Sequence, residues 1–178
     1  MRIIAGQYRG RSLKRPPEEH TRPTTQKVRG AVFSILTSKF HDLLTGVVVD
    51  AFAGSGGFGL EALSRGAQYA YFCENHPQVL RVLKQNLSFL DPSTYSLEPV
   101  SFHHLNIQKP ITLLYLDPPF EQKNFYRQTF EKCLPFFDDT TLIITESYTH
   151  EPVELPLLKM DERVYGRILV QFFLWKKE

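Results

Sequence analysis

The strongest constraint on the fold is a repeated pattern in which an apolar run ends in an acid. Val47-Val48-Val49 stops at Asp50, Tyr69 to Cys73 stops at Glu74, and Ile111 to Leu116 stops at Asp117. Uninterrupted apolar runs of this length are strands buried on both faces, and helical patterns separate them, so the chain is α/β with an open, mostly parallel sheet covered on both sides. The first helix runs through Leu60-Glu61-Ala62-Leu63 and stops at Gly66. The second starts after Asn75 or His76 with Pro77 in its first turn, and buries Val79, Leu80, Leu83, Leu87 and Leu90. A further strand is expected at residues 99–103, a helix from Phe125 to Cys133, and a strand from Thr141 to Thr145. Glu162 to Tyr165 and Ile168 to Trp175 leave no room for a crossover helix between them, so they form a hairpin turning at Gly166, an antiparallel far edge of the sheet.

Upstream, Arg2 to Lys14 reads as a short hairpin punctuated by Gly6 and Gly10. A Pro-rich link leads to a helix that Thr24 or Thr25 can cap, with Val28, Ala31, Val32, Ile35 and Leu36 as its apolar stripe. The expected division is a basic extension over residues 1–40 and a main domain over 41–178. Charge supports that division. Residues 1–40 carry a net +7 and the remainder a net −5, within a total of +2. Such an asymmetry fits a polyanion partner docked through the extension, or equally a solvated charged arm. No run approaches the roughly 18 apolar residues of a membrane span, and the chain is read as cytoplasmic and monomeric. Cys73 and Cys133 lie in apolar surroundings without metal-ligand spacing, and His103-His104 has no third ligand nearby, so no metal is expected.

The loop after the first strand, Gly54-Ser55-Gly56-Gly57-Phe58-Gly59, is a literal G-x-G-x-x-G, and Glu74 follows Gly54 by 20 residues, where an acid can bind ribose hydroxyls. Both features suit a dinucleotide. Electrostatics favours a different occupant. Asp50 precedes the loop, Glu61 follows it, and no Lys or Arg lies between Gly46 and Arg65, a poor setting for a pyrophosphate. S-adenosylmethionine carries no phosphate, and its ammonium and sulfonium are attracted to carboxylates. Glycines also admit its close approach to the backbone.

The Asp117-Pro118-Pro119-Phe120 turn is the second signal. Two prolines after an apolar strand force an abrupt exit from the sheet. An exocyclic amine is a poor nucleophile because its lone pair is delocalised into the base. The Asp117 carboxylate and the Pro118 carbonyl, held by the rigid prolines, can accept both of its N–H bonds, turning the lone pair toward a methyl donor and stabilising positive charge on nitrogen. Phe120 can stack on the base. Glu146, at the end of the Thr141 to Thr145 strand, faces the same edge, while Tyr115 and Trp175 read as core.

DAFAGSGGFGLEALSRGA, the acid in FCEN and the LDPPF turn resemble Rossmann-like class I adenosylmethionine-dependent methyltransferases of the (D/N)PP(F/Y) amino group. MRIIAGQYRGR together with TRPTTQKVRGAVFSIL is similar to the RsmD-type bacterial enzymes, which methylate guanine N2 in 16S RNA of the small ribosomal subunit. The resemblance spans Arg2 to Trp175. It implies that Asp50, Phe52, Ala53, Gly54, Ser55, Gly56 and Gly59 frame the methionine end of the cofactor and that Glu74-Asn75 holds the ribose. It implies RNA contacts from Arg9, Arg11, Arg22, Lys27 and Arg29. Where relatives tend to place an Asp-Ala for the adenine amine this chain has Leu105-Asn106-Ile107, and Asn106 can accept that bond through its side-chain oxygen. Two other readings remain: amino methylation of DNA (adenine N6 or cytosine N4) or of a protein glutamine by the same turn, and a catalytically silent RNA-binding assembly factor.

Overall fold

The structure, a computed structural model, describes residues 1–16, 26–99, 104–119 and 123–177. Its strands are β1 (Val47–Asp50), β2 (Tyr69–Cys73), β3 (Tyr95–Glu98), β4 (Ile111–Leu116), β5 (Phe137–Tyr148), β6 (Leu158–Tyr165) and β7 (Ile168–Lys176). The helices are α1 (Gln26–Lys39), α2 (His41–Leu44), α3 (Gly57–Ser64), α4 (Pro77–Leu87) and α5 (Asn124–Cys133). Among the described residues the strands form one sheet in the order β3-β2-β1-β4-β5-β7-β6. The first five pair in parallel, and β7 lies antiparallel between β5 and β6. The expected far-edge hairpin is therefore present, with Gly166 in its turn. The chain winds outward from β1 to β3 and then crosses back to β4, which creates the switch point of the sheet between β1 and β4.

Strand alternation divides the core. Val48, Ala70, Phe72, Leu113, Tyr115, Leu142, Ile144 and Phe172 face one way, packing with Val32, Phe33 and Leu36 of α1, Leu60 of α3 and Leu83 of α4. Val49, Tyr71, Cys73, Leu114, Leu116, Ile143 and Phe173 face the other way, with Tyr126, Phe130 and Cys133 of α5. Both cysteines are free and buried, and burial raises both thiol pKa values.

The N-terminal segment joins the first of these layers: Ile3 and Leu13 are buried in it. Arg2 and Ser12 bridge antiparallel, as expected of a hairpin, although the bridge is isolated rather than a ladder. Its anchor is polar. Glu61 of α3, fully buried, accepts the N–H groups of Ile4 (2.7 Å) and Ala5 (3.1 Å) and the Nε–H of Arg65 (2.8 Å). Ser64 Oγ accepts the Tyr8 N–H at 3.0 Å and donates to the Ala5 carbonyl at 2.5 Å.

Three elements differ from expectation. β3 begins at Tyr95 rather than residue 99, because Asp91 caps a 3-10 turn at Pro92–Thr94, its Oδ1 accepting the Ser93 N–H at 2.9 Å, and delivers the chain to β2 at once. Residues 100–103 lie outside the described residues. β5 is longer than Thr141 to Thr145, since its antiparallel pairing with β7 extends from Thr140 to Tyr148. α2 carries no sequence signal comparable to the others, being a single turn that packs Leu44 into the core. On α1 the stripe holds at Val28, Val32 and Leu36, with fully buried Phe33 added. Thr24 and Thr25 lie outside the described residues.

Candidate active site

Strand register brings the three acids to one edge. Asp50 pairs with Phe72 on β2 and with Tyr115 on β4, so Glu74 and Asp117 each stand two residues beyond its neighbours. With strands about 4.8 Å apart, the two backbones flank the loop after β1 at roughly 10 Å from each other. The loop is sewn to both sides: Ala51 N–H donates to the Tyr115 carbonyl (3.2 Å) and Ala53 N–H to the Cys73 carbonyl (2.8 Å).

The three signature glycines do different work. A Cβ on Gly59 would collide with the Phe72 ring, and one on Gly56 would stand 2.7 Å from Leu83 Cδ1, so these two are small to let α3 and the loop pack on β2 and α4. Gly54, at φ +54°, has nothing within 4 Å of that position, so here the glycine answers to its left-handed backbone rather than to a packed neighbour. For Gly59, as for Gly56, packing alone accounts for the missing Cβ.

Asp50 is also structural in a way the sequence did not reveal. Only 2% exposed, it accepts the Gly59 N–H at 3.0 Å through Oδ2, which places a carboxylate on the amino end of α3. A pyrophosphate would need that same donor group. Burial pushes the Asp50 carboxyl up to about 7, against the lowering effect of the Gly59 bond and with a smaller rise from the Glu74 charge. Glu74 spans loop and helix: Oε2 accepts the Gly54 N–H (3.1 Å) and Oε1 the His76 N–H (2.8 Å). Burial raises its pKa and these backbone bonds lower it.

On the other flank, Asp117 is half-buried, Pro118 buried and Pro119 exposed, while Phe120 lies outside the described residues. Leu116 pairs with Thr145, so the next step along β5 puts Glu146 level with Asp117. Glu146 is 2% exposed. Its Oε2 accepts the Tyr115 hydroxyl at 2.5 Å, and its backbone carbonyl accepts the Tyr126 hydroxyl at 2.6 Å. Burial first, then the charges of Asp117, Glu146 and Glu151, hold the Tyr126 phenol protonated. Tyr115 stacks on Phe58 of α3 at 3.8 Å between centroids, joining the floor of the turn to the glycine loop. Phe52 stacks on Phe125 at 6.0 Å and ties the same loop to the start of α5. Glu146 thus supports the edge, the signal for it being an acid at a strand's end.

Of the remaining cofactor candidates, Ala53 is buried, Ser55 half-buried and Asn75 exposed. Asn106 is exposed between buried Leu105 and Ile107, on a segment tied to β2 by Gln108 N–H donating to Tyr71 Oη at 3.0 Å. Arg9, Arg11 and Lys27 are exposed, and Arg22 lies outside the described residues. Arg29 is removed from the RNA-contacting set. It is 3% exposed, donates from Nη2 to the Arg2 carbonyl at 2.5 Å and from Nη1 to Met1 Sδ at 3.0 Å, and lies 3.9 Å from Glu61. Its charge answers the buried Glu61 carboxylate. Among the described residues no helix is long and apolar enough to cross a membrane, and no three of His, Cys, Asp and Glu gather where they could hold a metal.

A seven-stranded sheet with an inserted antiparallel β7, a carboxylate-capped glycine loop and an Asp-Pro-Pro turn across the switch point together define a Rossmann-like methyltransferase. The chain belongs to the family described as conserved hypothetical protein 95, which matches residues 1–174. It is 32% identical over 184 residues to the ribosomal RNA small subunit methyltransferase D of Escherichia coli K12, covering 97% of this chain and 89% of that protein. The solved structure of the Escherichia coli protein yhhF superposes with a TM-score of 0.81 at 29% identity, covering 100% and 99% of the two chains. A hypothetical protein of Thermus thermophilus gives 0.75 at 25% identity, covering 97% and 98%. The agreement extends through the N-terminal hairpin that carried the resemblance.

Proposed function

We propose that this protein methylates the exocyclic N2 amine of a guanine in 16S RNA of the small ribosomal subunit, with S-adenosylmethionine as donor. The observation that carries the reading is the pairing, at one sheet edge, of the Asp117-Pro118-Pro119 turn with a glycine loop whose helix end is already filled by the Asp50 carboxylate. The residues fit that cofactor. Gly54 has room for close approach, Glu74 is the proposed ribose acceptor beside it, and the acids around the loop attract cationic rather than phosphate groups. When bound, the cofactor supplies an electrophilic methyl on a sulfonium.

The chain's own contribution is orientation. Asp117 and the Pro118 carbonyl accept the two N–H bonds of the amine, align its lone pair and stabilise the charge that nitrogen acquires before a proton is lost. Phe120 is the proposed base-stacking residue. Arg9, Arg11, Arg22 and Lys27 are the proposed RNA contacts, and phosphate-facing charge among them gives affinity and register. Support for RNA as the acceptor comes from the basic hairpin and from the name of the Escherichia coli relative.

The test is mass spectrometry of nucleosides after incubating the protein with S-adenosylmethionine and small subunits from cells lacking the enzyme. N2-methylguanosine should appear with the native protein and be absent with Asp117→Ala, whose cofactor affinity stays within a few-fold. No modified guanosine from native protein that binds the cofactor would overturn the substrate assignment. Loss of cofactor binding in Asp117→Ala would move Asp117 into the cofactor site.

A further inference from the structure

The hairpin and the end of α4 build a cluster that neither the cofactor site nor the amine-binding turn uses. Phe89, just past α4, is half-buried. Tyr8 meets it edge-on at 5.1 Å between centroids and an interplanar angle of 74°. Arg11 lies over it, with the guanidinium carbon 3.8 Å from the ring centroid. The backbone holds this arrangement: Tyr8 N–H is bound by Ser64 Oγ at 3.0 Å, and Arg11 N–H donates to the Tyr8 carbonyl at 3.2 Å. Arg11 is nevertheless exposed, and Arg9, Lys14 and Arg15 around it are exposed as well.

A cation that only neutralises phosphate gains nothing from a ring beneath it, because a mobile, solvated Lys or Arg serves equally. A guanidinium pressed on a ring is different. One face lies on the Phe89 ring and the residue is otherwise exposed, so the guanidinium can offer its other face as a flat π surface ringed by positive charge. Unpaired bases stack on such planes. We infer that Arg11, backed by Phe89 and Tyr8, is a stacking site for an unpaired nucleobase of the substrate RNA. The inference rests on the RNA reading above and adds a base contact to it.

The stacked base is not the one that is methylated. The hairpin reaches Ser64 at the far end of α3, whereas α3 begins at Gly57 beside the catalytic edge. At 1.5 Å per residue that is about 10 Å of helix, so the site takes a flanking nucleotide.

Charge and stacking separate in one titration: binding of unmodified 16S RNA to the full-length protein across a series of salt concentrations. Arg11→Lys keeps the charge and loses the plane. It should weaken binding about 10-fold at every salt concentration, leaving the slope of log K against log salt unchanged. Phe89→Leu, which keeps an apolar contact for the hairpin, should do the same, with cofactor affinity as in the native protein and a melting temperature only slightly lower, the protein remaining folded at the assay temperature. An Arg11→Lys protein that binds like the native one, while Arg11→Ala lowers the slope by about one, would make Arg11 a phosphate contact and overturn the inference. A fall in melting temperature that accounts for the lost binding would reduce the cluster to hairpin packing. Native protein with no salt-dependent RNA binding would instead overturn the RNA reading itself.

Discussion

Asp50 makes a prediction whose sign is counterintuitive for a residue in a signature loop. Its carboxyl is driven from 3.8 to about 7 by complete burial, so between those values the folded protein holds a proton that the unfolded chain has released. Stability therefore falls as pH rises from about 4 to about 7 and levels off above, and the pKa difference corresponds to about 4 kcal/mol as an upper figure. Asp50→Asn removes the titration and keeps an oxygen that can accept the Gly59 N–H. The expected result in urea denaturation is a gain in stability for Asp50→Asn that is small at pH 5 and grows to about 2–4 kcal/mol at pH 8. At pH 8, where the native carboxyl is ionised, cofactor binding should also weaken in the same variant because a negative charge beside the methionine end is gone. A stability difference of the same size at both pH values would refute the argument, since it would mean that Asp50 is ionised throughout. A loss of stability growing with pH would show the carboxylate to be favoured by its surroundings rather than penalised.

The glycines and Arg29 give further tests. Gly59→Ala should cost about 1–3 kcal/mol of stability through the Phe72 ring. Gly54→Ala should lose less stability, about 1 kcal/mol for its left-handed backbone, yet lower cofactor affinity more. Thermal melts with and without S-adenosylmethionine would expose a reversal of that order. Arg29→Met strips the Arg2 carbonyl of its donor and leaves Glu61 with Arg65 as its remaining cation, so a destabilisation of about 1–3 kcal/mol is expected, with the salt slope of RNA binding unchanged once the comparison is made under folded conditions. A reduced slope would return Arg29 to the RNA surface.

The parallel sheet was legible because each central strand is apolar on both faces and ends in an acid, a pattern written in consecutive residues. The hairpin of β6 and β7 was legible from its short spacing. β3 was not, since Tyr95-Ser96-Leu97-Glu98 is an edge strand with no continuous apolar run, and only the Asp91 cap reveals where it starts. At the site, Asp50, Glu74 and Asp117 were placed by the rule that ligands gather at the carboxyl ends of strands, and the register brings them to a shared edge. Roles within the glycine loop were less readable. Whether a glycine faces a ligand or a neighbouring ring depends on Phe72 and Leu83, which lie far along the chain. Arg29 shows the same limit: the charge count placed it with the other cations of the extension, and only its burial, with its bond to the Arg2 carbonyl and its approach to Glu61, separates it from them.

That separation changes what the basic extension is. A solvated arm would leave its backbone to water, but here the interior holds it at both ends. Glu61 takes the N–H groups of Ile4 and Ala5 where the hairpin enters. Asn86, 5% exposed on α4, takes the Lys14 N–H at 2.9 Å where it leaves, and donates to the Lys14 carbonyl at 3.0 Å and the Ser55 carbonyl at 2.9 Å. Three of these contacts reach the cofactor loop or the helix that follows it. The exposed cations Arg9, Arg11, Lys14 and Arg15 therefore ride on a surface fixed relative to the catalytic edge. For the proposed reaction, such a surface can set the register of a large RNA against one amine, which a flexible arm of the same charge cannot do.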